Sequence, residues 1–100
     1  MREPRVIVLE DDDELRSLVA RGLREEGFEV VTHATAAELF ERLADADPDA
    51  IVVDIGLPDA DGRDVVHALR AHGVGAPVIF LTRPRSSMPS RRACPPTIRR

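Results

Sequence analysis

Three acidic side chains and one hydroxyl follow short apolar runs in the sequence, each where a strand is predicted to end. They are Glu10 and Asp11 after the first run, Asp54 after the third and Thr82 after the fourth. In an open parallel sheet, ligand groups gather beyond the carboxyl ends of the strands. We therefore predict that the three carboxylates and the hydroxyl meet at one edge of a sheet.

Carboxylates brought this close repel one another, and a bound divalent cation is the usual way to relieve the repulsion. Hard oxygen ligands in a half-open site favour Mg²⁺, which keeps several waters and accepts phosphate oxygens. The pattern thus predicts a magnesium site whose metal is open to water and phosphate oxygens.

The elements that must position these groups alternate between strand and helix over the first 82 residues. Four apolar runs predict strands, at residues 6–9, 28–32, 50–53 and 78–81. Apolar residues spaced by three and four predict a helix over residues 13–26, with Asp12 or Asp13 as its cap and Gly27 in the left-handed turn after it. Thr35 and Glu38 form a capping box for a second helix, and a third follows the loop of residues 55–62. This order predicts an α/β fold, a parallel sheet with helices on both faces.

The two outer strands differ in how well they tolerate exposure. Residues 28–32 include Glu29, which is typical of an edge strand, whereas residues 78–81 carry no charge. Charged side chains are a common protection of sheet edges. The fourth strand therefore lacks the pattern of an edge strand and has the composition of one that pairs on both sides.

Charge divides the chain into two parts. Residues 1–82 hold 8 Arg and all 18 acidic residues, a net charge of −10, whereas residues 83–100 hold 6 Arg and no acid, a net charge of +6. Four prolines in those last eighteen residues oppose both a helix and a buried strand. We predict one domain over residues 1–82 and a disordered Arg/Pro-rich tail over 83–100. The abrupt change suggests, as a hypothesis, that the tail is an out-of-frame translation of a GC-rich gene.

Composition excludes several classes of protein. The chain has no apolar run near the roughly 18 residues of a membrane helix and no signal-peptide core. Its single cysteine, Cys94, is typical of a reducing compartment, so we expect a cytoplasmic protein. The absence of a Gly-rich phosphate loop and of a nucleophile elbow argues against a hydrolase or dehydrogenase, and we expect no enzyme. The tail lacks aromatic residues for base stacking, so nucleic acid is not an expected partner.

Three segments together resemble the receiver domain of bacterial two-component response regulators. They are VIVLEDD at residues 6–12, VVDIGLPDADG at residues 52–62 and PVIFLT at residues 77–82. The resemblance covers residues 5–82. It implies a doubly wound, flavodoxin-like sheet of strand order 2-1-3-4 that is incomplete, because the fifth strand and the last helices of the family have no counterpart.

The resemblance also implies roles for the residues that match the family's motifs. Asp54 corresponds to the phosphoacceptor, which receives its phosphoryl group from a histidine kinase. Asp11 corresponds to a direct Mg²⁺ ligand, Glu10 to a residue acting through water, and the Gly56 carbonyl to the third protein ligand. Thr82 corresponds to the hydroxyl that binds a phosphoryl oxygen and moves inward on activation.

The sequence departs from the family in its catalytic lysine. The 100 residues contain no lysine, and Arg83 replaces the small residue usual after the threonine. We therefore predict impaired phosphoryl transfer. Two alternatives remain: an interaction fragment that pairs through its exposed fourth strand or sequesters the kinase, or a remnant without function.

Overall fold

The computed structural model describes residues 3–81, which form seven main elements and one short 3₁₀ helix. Their bounds are β1 Arg5–Leu9, α1 Asp13–Glu25, β2 Glu29–His33, α2 Ala36–Glu41, the 3₁₀ helix Leu43–Asp45, β3 Ala50–Asp54, α3 Gly62–Ala71 and β4 Val78–Leu81. The predictions made for Thr82 and for the tail of residues 83–100 lie outside the described residues.

The four strands form one parallel sheet in the order β2-β1-β3-β4. Leu9 of β1 pairs with Val53 of β3, and Asp54 pairs with Leu81 of β4. The register therefore brings the residue after β1 beside the last residue of β3. The predicted strand order and the α/β class are confirmed.

Helices cover both faces of the sheet. Successive strand residues point to opposite sides, so the apolar strands present buried side chains to helices on each face. On one face Ile7, Leu9, Ile51 and Val53 pack with residues of α2 and α3; these are Ala36, Leu39, Val65 and Leu69. On the other face Val6, Val8, Val30 and Val52 pack with Ala20 of α1. Parallel strands buried on both faces are expected to be continuously apolar, as β1 and β3 are.

Side-chain caps fix the helix starts that the sequence indicates. The Asp12 carboxylate accepts a hydrogen bond from Leu15 N at 2.9 Å, and Thr35 Oγ1 accepts one from Glu38 N at 3.2 Å. The second half of the expected capping box differs, because Glu38 Oε1 accepts from Ala34 N instead of Thr35 N. Gly27 has φ of 98°, in the left-handed conformation expected after α1.

The second strand lies one residue later than predicted, at Glu29–His33 instead of residues 28–32. Phe28 N donates to Leu23 O at 3.1 Å, so Phe28 belongs to the turn that ends α1. The strand begins where pairing with β1 begins, at Arg5 opposite Glu29. Pairing, which an apolar run does not reveal, sets this boundary.

The two outer strands of the described sheet are β2 and β4. The exposed position of β2 agrees with its charged residue, Glu29. In β4, Ile79 is 58% exposed and Phe80 is 39% exposed. Within residues 3–81, none of the helices is both long and apolar enough to cross a bilayer.

Candidate functional site

Three carboxylates meet at the carboxyl ends of β1 and β3. Glu10, Asp11 and Asp54 each offer an oxygen, and these three oxygens all lie within 4.8 Å of one another. The predicted convergence of the acidic residues is therefore present in the structure. Glu10 is fully buried and Asp54 is 3% exposed, so most of this charge is removed from water.

The end of β1 is held by a set of hydrogen bonds around Glu10. Glu10 N donates to His33 O at 3.1 Å, and Glu10 Oε2 accepts from Asp12 N at 2.9 Å. Arg16, in α1, donates from Nη1 to Glu10 O at 3.0 Å. These contacts fix both the backbone and the carboxylate of Glu10, so that its side chain stays at the sheet edge.

The end of β3 is held by the loop that follows it. Asp54 Oδ1 accepts from Gly56 N at 3.1 Å, and Gly62 N donates to Ile55 O at 2.9 Å. Gly62 also lies against the strand so closely that a Cβ there would stand 2.7 Å from Asp54 O. The first turn of α3 therefore packs directly on the backbone of Asp54.

The electrostatics of the site follow from burial and from like charges. Burial raises the pKa of Glu10 from its usual 4.5 to about 7; the hydrogen bond from Asp12 N opposes this rise, and the neighbouring Asp11 and Asp54 add to it. A carboxyl group whose charged form is this unfavourable benefits from a nearby cation. The site concentrates negative charge that a metal ion can neutralise.

The donor set fits Mg²⁺. It consists of carboxylate oxygens at one edge of a parallel sheet, which are the hard ligands that Mg²⁺ prefers. Asp11 is only partly buried, so the site is open on one side, where waters and phosphate oxygens can complete the coordination of a metal.

The five site residues predicted from sequence fall into three groups. Glu10, Asp11 and Asp54 are brought together. Gly56 lies two residues after Asp54, exposed, and donates its N–H to that carboxylate. Thr82 lies outside the described residues, directly after Leu81, which pairs with Asp54.

Sequence reasoning missed three residues that shape this edge of the sheet. Arg16 contacts the Glu10 carbonyl, Gly62 packs on Asp54, and the Asp59 carboxylate accepts hydrogen bonds from two amides of α2. A glycine in the first turn of a helix is a signal of close approach that could have identified Gly62. Asp59 had no comparable signal, because its partners are 22 and 23 residues away in the chain.

The sequence pattern of the response regulator receiver domain matches residues 6–94. The chain belongs to this family. The match continues past Thr82, where we place the domain boundary; the residues beyond that point lie outside the described range, so the 1–82 boundary and the tail stay predictions.

Curated relatives of this receiver chain are transcriptional regulatory proteins. PrrA of Mycobacterium tuberculosis is 46% identical over 90 residues, a match that covers 90% of this chain and 38% of PrrA. The probable regulator TcrX of the same organism is 36% identical over 77 residues, covering 77% of this chain and 33% of TcrX. The receiver chain thus spans about a third of the length of these relatives.

Solved structures show the same fold. The chemotaxis response regulator CheY4 of Vibrio cholerae matches with a TM-score of 0.74 at 26% identity, over 78% of this chain and 67% of CheY4. Response regulator TrrA of Thermotoga maritima, solved in complex with Mg²⁺–BeF, matches with a TM-score of 0.73 at 29% identity, over 79% of this chain and 69% of TrrA. The predicted flavodoxin-like receiver fold is confirmed for the four-stranded sheet.

Proposed function

We propose that this receiver chain accepts a phosphoryl group from a histidine kinase on the carboxylate of Asp54, with Mg²⁺ held beside it. The observation that carries the proposal is the meeting of the Glu10, Asp11 and Asp54 oxygens within 4.8 Å of one another. Family membership supports the proposal, and so does the crystal structure of the similar TrrA, which was solved in complex with Mg²⁺–BeF. On this proposal the chain is a cytoplasmic phosphoacceptor protein and not an enzyme with a separate substrate.

The reacting group is a carboxylate oxygen of Asp54. It attacks the phosphorus of a phosphohistidine, so that an O–P bond forms and the P–N bond breaks. The electron pair of that bond goes to the imidazole nitrogen, and the product on Asp54 is an acyl phosphate. The hydrogen bond from Gly56 N to Asp54 Oδ1 holds the nucleophile in place at the end of β3.

The residues that would hold Mg²⁺ are Asp11 and Asp54 directly, Glu10 through water and Gly56 through its carbonyl. The metal would supply charge neutralisation for the phosphoryl oxygens, since phosphoryl transfer depends mainly on positioning and electrostatic stabilisation. Burial of Glu10 and Asp54 strengthens that interaction by excluding water from the site.

Transfer in this chain is proposed to be slow, because the family's lysine has no equivalent among its 100 residues. Losing one preorganised electrostatic contact in a catalytic site costs about 2.7–4 kcal/mol, or roughly 10²- to 10³-fold in rate. We expect the chain to be phosphorylated at Asp54 but more slowly, by about this factor, than a receiver domain that has the lysine.

Intact mass spectrometry during incubation with acetyl phosphate and Mg²⁺ tests the proposal. The expected result is slow gain of one phosphoryl group that requires Mg²⁺. The gain is absent in Asp54→Asn and retained in Asp64→Asn, a matched change at an exposed acid in α3. No gain after prolonged incubation would refute the acceptor function, and rapid stoichiometric gain would refute the impairment.

A second candidate function is self-association through β4. Ile79 and Phe80 are exposed, and β4 lies at the edge of the described sheet. An apolar strand edge can pair with another chain. Sedimentation at rising concentration without a phosphodonor tests this function: association that Ile79→Lys abolishes supports it, and a monomer throughout the range contradicts it.

A further inference from the structure

The loop between β3 and α3, residues 55–61, carries Gly56 and follows Asp54 directly. Contacts at its base hold it: Gly62 N donates to Ile55 O at 2.9 Å, and Gly56 forms an antiparallel bridge with Asp61. Leu57 is buried in the apolar cluster that α2 and α3 form with one face of the sheet. The next two residues, Pro58 and Asp59, are exposed, so contacts made by their side chains decide how firmly the tip of the loop is held.

Asp59 ties this tip to the start of α2. Its Oδ1 accepts from Ala36 N at 3.1 Å and its Oδ2 accepts from Ala37 N at 3.2 Å. The amides of the first turn of a helix have no partners within the helix and need acceptors from elsewhere. Thr35, the residue before α2, supplies an acceptor to Glu38 N. Asp59, which lies in a different part of the chain, thus accepts hydrogen bonds from two further amides of this first turn.

The contact between Asp59 and α2 connects two segments that flank the acidic site. The segment that leads into α2 comes from β2, and the last residue of β2, His33, accepts the hydrogen bond from Glu10 N. The loop that carries Asp59 comes from β3, which ends in Asp54. Asp59 therefore links the segment between β2 and α2, which is hydrogen-bonded to Glu10, with the loop that follows Asp54.

We propose that Asp59 is a positioning residue for the magnesium site: its carboxylate, bonded to both amides at the start of α2, holds the β3–α3 loop so that Gly56 and Asp54 keep their places beside Glu10 and Asp11. The proposal rests on the proposed function, because it assumes that these residues bind Mg²⁺. Asp59 touches neither metal nor phosphate itself; it acts through the loop.

Isothermal titration calorimetry tests this role by comparing the Mg²⁺ affinity of the full chain with that of its Asp59→Ala variant. We expect Mg²⁺ to bind about tenfold more weakly than in the wild type, a loss typical when a residue that supports metal ligands is removed. Asp59→Asn keeps one oxygen that can accept from an α2 amide, so its loss of affinity should be smaller.

Two control variants separate positioning from other effects. Thr35→Ala removes a hydrogen bond from the same end of α2 without touching the loop, and Asp64→Ala removes one negative charge at an exposed position of α3. Both should bind Mg²⁺ within about twofold of the wild type, a difference small beside the tenfold effect expected for Asp59. Equal affinity in Asp59→Ala and wild type, or an equal loss in Thr35→Ala, would overturn the proposal.

Amide hydrogen exchange in Mg²⁺-free solution gives a second readout that does not depend on the metal. In Asp59→Ala the Gly56 amide should exchange faster than in Thr35→Ala, because the loop has lost its attachment. If the wild type binds no Mg²⁺, the proposed function fails, and exchange at Gly56 alone then decides for or against the positioning role.

Discussion

Gly62 offers the sharpest test of how the site is built, because a methyl group added there would collide with the backbone of Asp54, the proposed phosphoacceptor. A Cβ at this position would lie 2.7 Å from Asp54 O and 2.9 Å from Ile55 Cα. Both atoms are backbone, so neither can rotate away as a side chain could. Gly62→Ala must therefore displace α3 or the end of β3.

The magnitude follows from two opposing contributions. Overpacking in a well-packed region costs about 1–3 kcal/mol, and contacts with rigid backbone belong in the upper part of that range. Replacing a helical glycine by alanine gains about 0.5–1 kcal/mol. The net expectation is a loss of about 2 kcal/mol in the free energy of unfolding.

Gly22 provides the matched control. It lies within α1, is exposed, and a Cβ there would meet nothing within 4 Å. Gly22→Ala should therefore raise the free energy of unfolding by about 0.5–1 kcal/mol, the full gain in helix propensity. The same chemical change is expected to have opposite signs at the two glycines.

Urea denaturation followed by far-ultraviolet circular dichroism measures both variants in the full chain. Mg²⁺ affinity is a second measurement, and it should fall in Gly62→Ala because the strain reaches Asp54. The reasoning is refuted if Gly62→Ala is as stable as the wild type, or if both variants shift in the same direction. Loss of stability with unchanged Mg²⁺ affinity would show that α3 moves instead of the end of β3.

Two further predictions concern metal and pH. Mg²⁺ at about 100 times its Kd should raise the free energy of unfolding by about 2.7 kcal/mol. Asp54→Asn should lose this gain but be no less stable than the wild type without metal, because the substitution relieves repulsion between carboxylates. A wild-type melting curve that Mg²⁺ leaves unchanged would contradict the magnesium site. Burial lowers the pKa of His33 below its usual 6.5, so the unfolded chain binds more protons and the stability owed to His33 is lost as pH falls below about 6.5. The raised pKa of Glu10 changes stability with pH in the opposite direction, so the effect of His33 is measured as the difference in urea midpoint between wild type and His33→Gln across this pH range. The exposed His67→Gln is the control. If His33→Gln has the same pH dependence as the wild type, the prediction for His33 is wrong.

Local sequence accounts for most of the elements and for the acidic site. Continuous β-branched runs predict the buried strands β1 and β3, and the acids that follow them meet because parallel strands end at the same edge of a sheet. Asp12 and Thr35 cap their helices through neighbours three residues away, which a sequence pattern can reveal. The strands and the caps depend on residues close together in the chain, whereas the meeting of the acids was predicted from the general rule that parallel strands end at the same edge of a sheet.

Features that depend on distant residues required the tertiary structure. The bounds of β2 follow from its pairing with β1, and Asp59 reaches α2 amides more than twenty residues earlier. The raised pKa of Glu10 depends on complete burial beside Asp11 and Asp54. Strand periodicity and capping patterns record local preferences, whereas contact and burial across the sheet arise only when separate segments pack together.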